Sequence, residues 1–206
     1  MNNPTVITIG RQFGSGGRLI GQRLSELLSI PFYDNKLISL AAEKSGFAQD
    51  VFAAADERPA NSFLYSAAAS AYPLGAQFIN GFSLPINDQL FLLQSSLIRE
   101  FAQAGACVII GRCADYVLRE HPHLLSVFIY APIGDRISRA VKEYDMPREK
   151  IQETIEKIDR QRAAYHNYYA DTHWGKAGSY RLSIDSSLLG AEKTAELLAE
   201  VARKML

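Results

Sequence analysis

Thr5-Val6-Ile7-Thr8-Ile9, then Gly10-Arg11-Gln12-Phe13-Gly14-Ser15-Gly16-Gly17-Arg18, then Leu19-Ile20-Gly21-Gln22-Arg23-Leu24-Ser25-Glu26-Leu27-Leu28 is the stretch whose reading decides the fold. It reads as a short apolar strand, a glycine-rich turn and an amphipathic helix, with Leu19, Ile20, Leu24, Leu27 and Leu28 on one helical face. Such a turn is a phosphate cradle. Small residues let backbone N–H groups approach an anion, and the helix N-terminus adds its positive dipole end. In the phosphate-binding loop pattern a lysine follows the last loop glycine. Here Gly16 is followed by Gly17 and then Arg18. Gly10, Gly14, Gly16 and Gly17 supply room, Ser15 a hydroxyl, and Arg11 and Arg18 the local positive charge.

Outward from this stretch, four more strand candidates follow: Pro31–Tyr33, Ala106–Ile110, Leu125–Tyr130 and Tyr180–Ile184. Several are continuous apolar runs, as expected where helices cover both faces of a parallel sheet. Helical patterns cover Asn35–Lys44, Asp88–Ala104, Ala114–Arg119, Asp135–Tyr144, Arg148–Tyr169 and Ala191–Met205. The alternation predicts an open, doubly wound α/β sheet, with ligands beyond the carboxyl ends of the strands. The stretch Gln49–Asn87 differs: it is rich in Ala and Ser, carries Phe63, Tyr65, Tyr72, Phe78 and Phe82, and is broken by Pro59, Pro73 and Pro85. It reads as inserted helical segments that cover a pocket, form a subunit interface or pack on the body. Together with the apolar helix Leu90–Phe101 it makes a homodimer an expectation.

Composition narrows the function classes. The 206 residues are 48% hydrophobic and 21% charged, as in an ordinary globular domain. Lys+Arg and Asp+Glu both total 22, a balance that argues against a nucleic-acid coat. No run approaches the eighteen or so apolar residues of a membrane span. Met1-Asn2-Asn3-Pro4 does not read as the start of a signal peptide. Cys107 and Cys113 lack metal-knuckle spacing, and a reduced, cytoplasmic setting is expected. The histidines, His121, His123, His166 and His173, form no zinc pattern, and no Ser-His-Asp arrangement stands out.

Three further places carry phosphate chemistry. Arg112 follows the strand Val108-Ile109-Ile110 and Gly111, at the ligand edge of the sheet, where a guanidinium can grip a phosphate through two hydrogen bonds; the alternative is a surface pair with Asp115. Arg136, Arg139, Arg160 and Arg162 lie on downstream helices, and phosphoryl transfer needs several cations around the moving group. Asp34 ends the second strand, either holding a substrate group or a water on magnesium, or capping the next helix.

Taken together, Ile7-Thr8-Ile9-Gly10-Arg11-Gln12-Phe13-Gly14-Ser15-Gly16-Gly17-Arg18, Phe32-Tyr33-Asp34, Ile110-Gly111-Arg112, Asp159-Arg160-Gln161-Arg162-Ala163, Trp174-Gly175 and Leu182-Ser183-Ile184-Asp185-Ser186 resemble the cytidylate kinase-like family over nearly the whole chain. The resemblance implies a single P-loop kinase-like domain over residues 1–206, a three-layer α/β/α sandwich on a five-stranded parallel sheet. It further implies a helical monophosphate-binding insertion at 45–90 and a lid-like segment at 145–178. By the same resemblance, Arg11, Gly14, Ser15, Gly16, Gly17 and Arg18 cradle the phosphates of ATP, accompanied by Mg2+. Asp34, Arg112 and Asp159 bind the acceptor, a nucleoside monophosphate with CMP or dCMP as the first expectation, and Arg18, Arg112, Arg160 and Arg162 act in catalysis. The sequence departs from true cytidylate kinases at Gly17, where they carry lysine, at Leu19, where they carry threonine, and at Cys113, where they carry aspartate. Arg18 is the expected replacement for the lysine.

Overall fold

The structure is a computed structural model and describes residues 5–35, 37, 38 and 86–205. Strand β1 (Val6–Arg11) runs into the glycine loop and then helix α1 (Gly17–Leu28). There follow β2 (Phe32–Tyr33), α2 (Ile86–Ala104), β3 (Cys107–Ile110), α3 (Ala114–Val117) and β4 (Leu124–Tyr130). The chain closes with α4 (Ile133–Glu143), α5 (Ile151–Tyr169), a short 3-10 turn at Ala177–Ser179, β5 (Leu182–Asp185) and α6 (Gly190–Arg203).

The sheet has the order β2-β3-β1-β4-β5, and every neighbouring pair is parallel. β1 therefore sits in the middle, with Ile9 level with Ile110 of β3 and Val127 of β4. The chain leaves β1 between two strands that diverge in sequence, the switch point where open α/β sheets bind ligands. Alternate residues face opposite layers. Ile7, Ile9, Val108, Ile110, Val127 and Ile129 pack under α1 and α6 against Ile20, Leu24 and Leu198. Val6, Cys107 and Ile109 pack under α2 and α3 against Ile98, Ala102, Ala114 and Val117. A smaller cluster of Ala140, Ile151 and Ile155, joined by Phe13 of the loop, ties α4 and α5 to the glycine turn.

The three-layer α/β fold on a five-stranded parallel sheet is as the sequence predicts. The differences are local. β1 extends through Gly10 and Arg11, which pair with Phe128 and Ile129 although neither continues the apolar run. Leu19 is exposed rather than part of the apolar face of α1. It precedes the buried Ile20 by one residue and is turned about 100° away. α5 begins at Ile151, after Asp145 and Lys150 adopt left-handed conformations with φ of 52° and 53°. Residues 86–90, assigned above to the insertion, open helix α2, while the remainder of Asn35–Lys44 beyond residue 38 and the stretch 45–85 lie outside the described residues. On the Leu90–Phe101 helix, Leu90 and Ile98 are buried and Leu92 is exposed.

Both cysteines are free and buried. Burial pushes the Cys107 thiol up to about 12. A raised thiol pKa leaves the unreactive neutral form dominant, since the thiolate is the nucleophile. Native protein at pH 8 is therefore expected to leave Cys107 unalkylated by iodoacetamide, as read by peptide mass spectrometry, with labelling appearing on denaturation.

Candidate functional site

The glycine loop is held at its root by the flanking strands. The Gln12 N–H donates to Ile129 O at 3.0 Å, and Gln12 Oε1 accepts from the Ala131 N–H at 3.2 Å. Ser15 is fully buried; its hydroxyl donates to Gln12 O at 2.9 Å, and Ser186, just past β5, donates its own hydroxyl to Ser15 O at 2.6 Å. The Ser15 hydroxyl expected to donate to phosphate is thus spent within the loop. Gly16 is the N-cap of α1 in a left-handed conformation; no side chain caps the helix and its first turn holds no acidic residue. The first-turn N–H groups of such a helix need an outside acceptor, water or an anion, at the positive end of the dipole.

Helices α4 and α5 come down on the loop. Asp159 Oδ1 accepts the Phe13 N–H at 2.7 Å, while its Oδ2 takes a short hydrogen bond from Arg136. Arg136 also donates to Phe13 O at 3.3 Å. Arg139 donates to Gly14 O at 2.7 Å, and Arg162 donates to Arg11 O at 3.3 Å with its guanidinium 5.6 Å from the centre of the Phe13 ring. α4 and α5 are both docked on the loop through these contacts. Arg160 does not join them. It is 69% exposed and pairs with Glu156 one turn back, at 3.6 Å. Exposed pairs of this spacing contribute about 0.3–0.5 kcal/mol, so Arg160→Ala is expected to move the urea midpoint by no more than that free energy implies.

On the other side of the loop, Arg18 leaves the cradle. Its Nε and Nη2 donate to Asp34 Oδ2 at 3.0 and 2.8 Å, and its side chain is 63% exposed. Asp34 Oδ1 accepts the Leu37 N–H at 3.1 Å, so Asp34 performs the capping role that was one of its two readings. Arg112 stands past β3 with φ of 55° and is buried; burial pulls its pKa down, and Tyr165 of α5 faces it. Asp115, the partner the sequence offers for Arg112, meets His166 of α5 at 2.8 Å, both side chains nearly buried. Sequence reading had no signal for that pair, whose members lie 51 residues apart. Nor could it find the clamp of Asp159 on the Phe13 N–H, which spans 146 residues.

Arg11 occupies the floor between these two sides. A Cβ built on Gly17 would lie 2.6 Å from Arg11 Cβ and 3.1 Å from its Cγ. The guanidinium reaches Gly111 at the end of β3, where a Cβ would collide with Arg11 Nη1 and lie 3.1 Å from Asn35 Oδ1.

A central parallel sheet, a glycine loop at its switch point, an uncapped helix N-terminus and converging arginines define a P-loop kinase-like α/β protein. The chain belongs to the cytidylate kinase-like family, which it matches over residues 6–188. Among solved structures, an uncharacterised protein from Eubacterium ventriosum superposes with a TM-score of 0.72 at 22% identity, covering 97% of this chain and 98% of that one. Shikimate kinase from Acinetobacter baumannii, in complex with shikimate, gives a TM-score of 0.52 at 14% identity, covering 98% and 94% of the two chains. Shikimate kinase from Bacteroides thetaiotaomicron gives 0.54 at 12% identity, over 97% and 98%. These likenesses are likenesses of fold. No curated protein sequence matches significantly.

The residues fit the phosphates of ATP: the start of α1 lacks a side-chain cap and lies among Arg11, Arg139 and Arg162. The first turn of α1 offers Mg2+ neither a hydroxyl nor a carboxylate, and the described residues contain no group of three or more His, Cys, Asp or Glu that could hold a metal. No helix among the described residues is long and apolar enough to cross a membrane.

Proposed function

We propose that the protein is an ATP-dependent phosphotransferase whose acceptor is a nucleoside monophosphate, with CMP or dCMP first. The observation that carries this reading is the uncapped start of α1 with arginines of three elements turned onto its loop. Mg2+ would come with the substrate as MgATP and would supply further neutralisation of the phosphate charge. An acceptor phosphate oxygen attacks the γ-phosphorus as the bond to the ADP oxygen breaks, so no protein nucleophile is needed. The chain's part is to hold the two partners in line, neutralise charge on the phosphoryl oxygens and exclude water. Arg139 and Arg162 each bond a loop carbonyl, and a guanidinium has five N–H donors, so this anchoring is compatible with phosphate contact. Arg112 and the Asp34–Arg18 pair stand on the acceptor side in this reading, and Asp159 acts by holding the loop.

The missing lysine at Gly17 favours a second reading, a nucleotide-binding protein without transfer. Coupled ADP release separates them, with MgATP and a panel of CMP, dCMP, UMP, AMP, GMP and small hydroxylated metabolites. Turnover fastest with CMP or dCMP supports the first reading. Turnover with a metabolite alone moves the acceptor outside the nucleotides. ATP binding without turnover on any acceptor supports the second.

A further inference from the structure

The P-loop pattern is glycine, four residues, glycine, lysine, then serine or threonine. Laid on residues 11–18, Gly16 falls on the second glycine. Arg11 then stands where the first glycine belongs, and Gly17 stands where the lysine belongs. The two departures are one exchange. A Cβ on Gly17 would lie 2.6 Å from Arg11 Cβ, below any ordinary contact, and the atom it meets is next to the backbone and unable to swing away. The two positions therefore cannot both carry side chains here. A small residue at one permits a large cation at the other.

The direction of the Arg11 side chain agrees. Its stem passes over Gly17 at the start of α1, and its guanidinium reaches Gly111, past the carboxyl end of β3, on the side where Asn35 follows β2. Gly111, at φ of 72°, leaves the space that Arg11 Nη1 fills. This is the edge where the transferred group must pass between ATP and acceptor. Arg18, the cation nearest to the lysine position in sequence, instead turns out to Asp34 and solvent.

We propose that Arg11 is the catalytic cation of the loop, contacting the β- and γ-phosphates of ATP in place of the lysine that Gly17 has displaced. The assignment rests on the phosphotransferase reading. A planar guanidinium suits the role because it can hold two phosphate oxygens at once.

The test uses the full chain and three variants: Arg11→Met, which keeps most of the stem, Arg11→Gly, and the exchange Arg11→Gly with Gly17→Lys. ATP and AMP affinities are read by titration calorimetry, turnover by ADP release, and folding by the thermal midpoint. Loss of a charge-assisted contact predicts that Arg11→Met weakens ATP by about 10- to 100-fold, with AMP affinity within about threefold of wild type. Turnover falls at least as far. The exchange variant is expected to recover at least about tenfold of the ATP affinity lost in Arg11→Gly, because the removed stem gives the lysine room. Gly17→Lys alone is expected to lose ATP binding. Wild-type protein that binds no ATP would overturn the phosphotransferase reading itself. Wild-type protein that binds ATP, with Arg11→Met binding it equally well, would overturn the assignment to Arg11 alone. So would an exchange variant that folds but stays as weak as Arg11→Gly.

Discussion

Gly14→Ala is expected to lower unfolding stability by about 2–5 kcal/mol and to abolish ATP binding. Two causes act together. Gly14 has φ of 77°, which a residue with a Cβ adopts only at a cost of about 1–2 kcal/mol. The added Cβ would also lie 2.6 Å from Arg136 O, 2.9 Å from Arg136 Cβ and 3.0 Å from Arg136 Cα. Two of these atoms are backbone, so α4 must shift as a body. That shift breaks the Arg139 bond to Gly14 O and the Arg136 bonds that fix Phe13. Gly134, on the same helix, provides the contrast. A Cβ there meets nothing within 4 Å, and alanine in place of glycine in a helix is worth up to about 1 kcal/mol. Gly134→Ala is therefore expected to be neutral or stabilising. Urea denaturation of both variants reads the difference. Equal stabilities would mean that α4 does not press on the loop as described.

Asp159→Ala is expected to cost about 2–4 kcal/mol and to release α5 from the loop. Asp159 satisfies the Phe13 N–H and the Arg136 guanidinium together. The side chains of Arg136 and Asp159 are only 9% and 13% exposed. Removing the carboxylate leaves one backbone donor and one nearly buried charge without their acceptor, the costly way to break a pair. The cluster of Ala140, Ile151 and Ile155 still packs, so the variant is expected to fold. Hydrogen exchange is expected to quicken across α5 and the glycine loop while the central strands stay protected. Asp159→Asn, which keeps an acceptor for the Phe13 N–H, is expected to fall between Ala and wild type. An Asp159→Ala protein with wild-type exchange in α5 would show that the apolar cluster alone holds α5 down.

The sheet was legible in the sequence because buried parallel strands leave continuous apolar runs, and Val108–Ile110 and Leu125–Tyr130 are such runs. The glycine loop was legible because its spacing is local. The arginines were harder. Asp159, Arg160 and Arg162 look like one cluster in the chain, yet a helical period places Asp159 and Arg162 on one face and Arg160 on another. The structure shows that division, with Arg162 on the loop and Arg160 paired with Glu156 in solvent. Which charged groups meet across the fold carries no local signal. Arg18 reaching Asp34, and Asp115 reaching His166, follow from how α1 and α5 sit on the sheet. The exchange between positions 11 and 17 was written in the sequence but became readable only once Arg11 was seen lying across Gly17.

The most direct measurement is a crystal structure with a non-hydrolysable ATP analogue and Mg2+. The expected result places the β- and γ-phosphates against the first-turn N–H groups of α1, with the Arg11 guanidinium on their oxygens and Arg18 still on Asp34. Phosphates bound elsewhere on the molecule, or a loop that excludes them while Asp159 and Arg139 keep their present bonds, would contradict it.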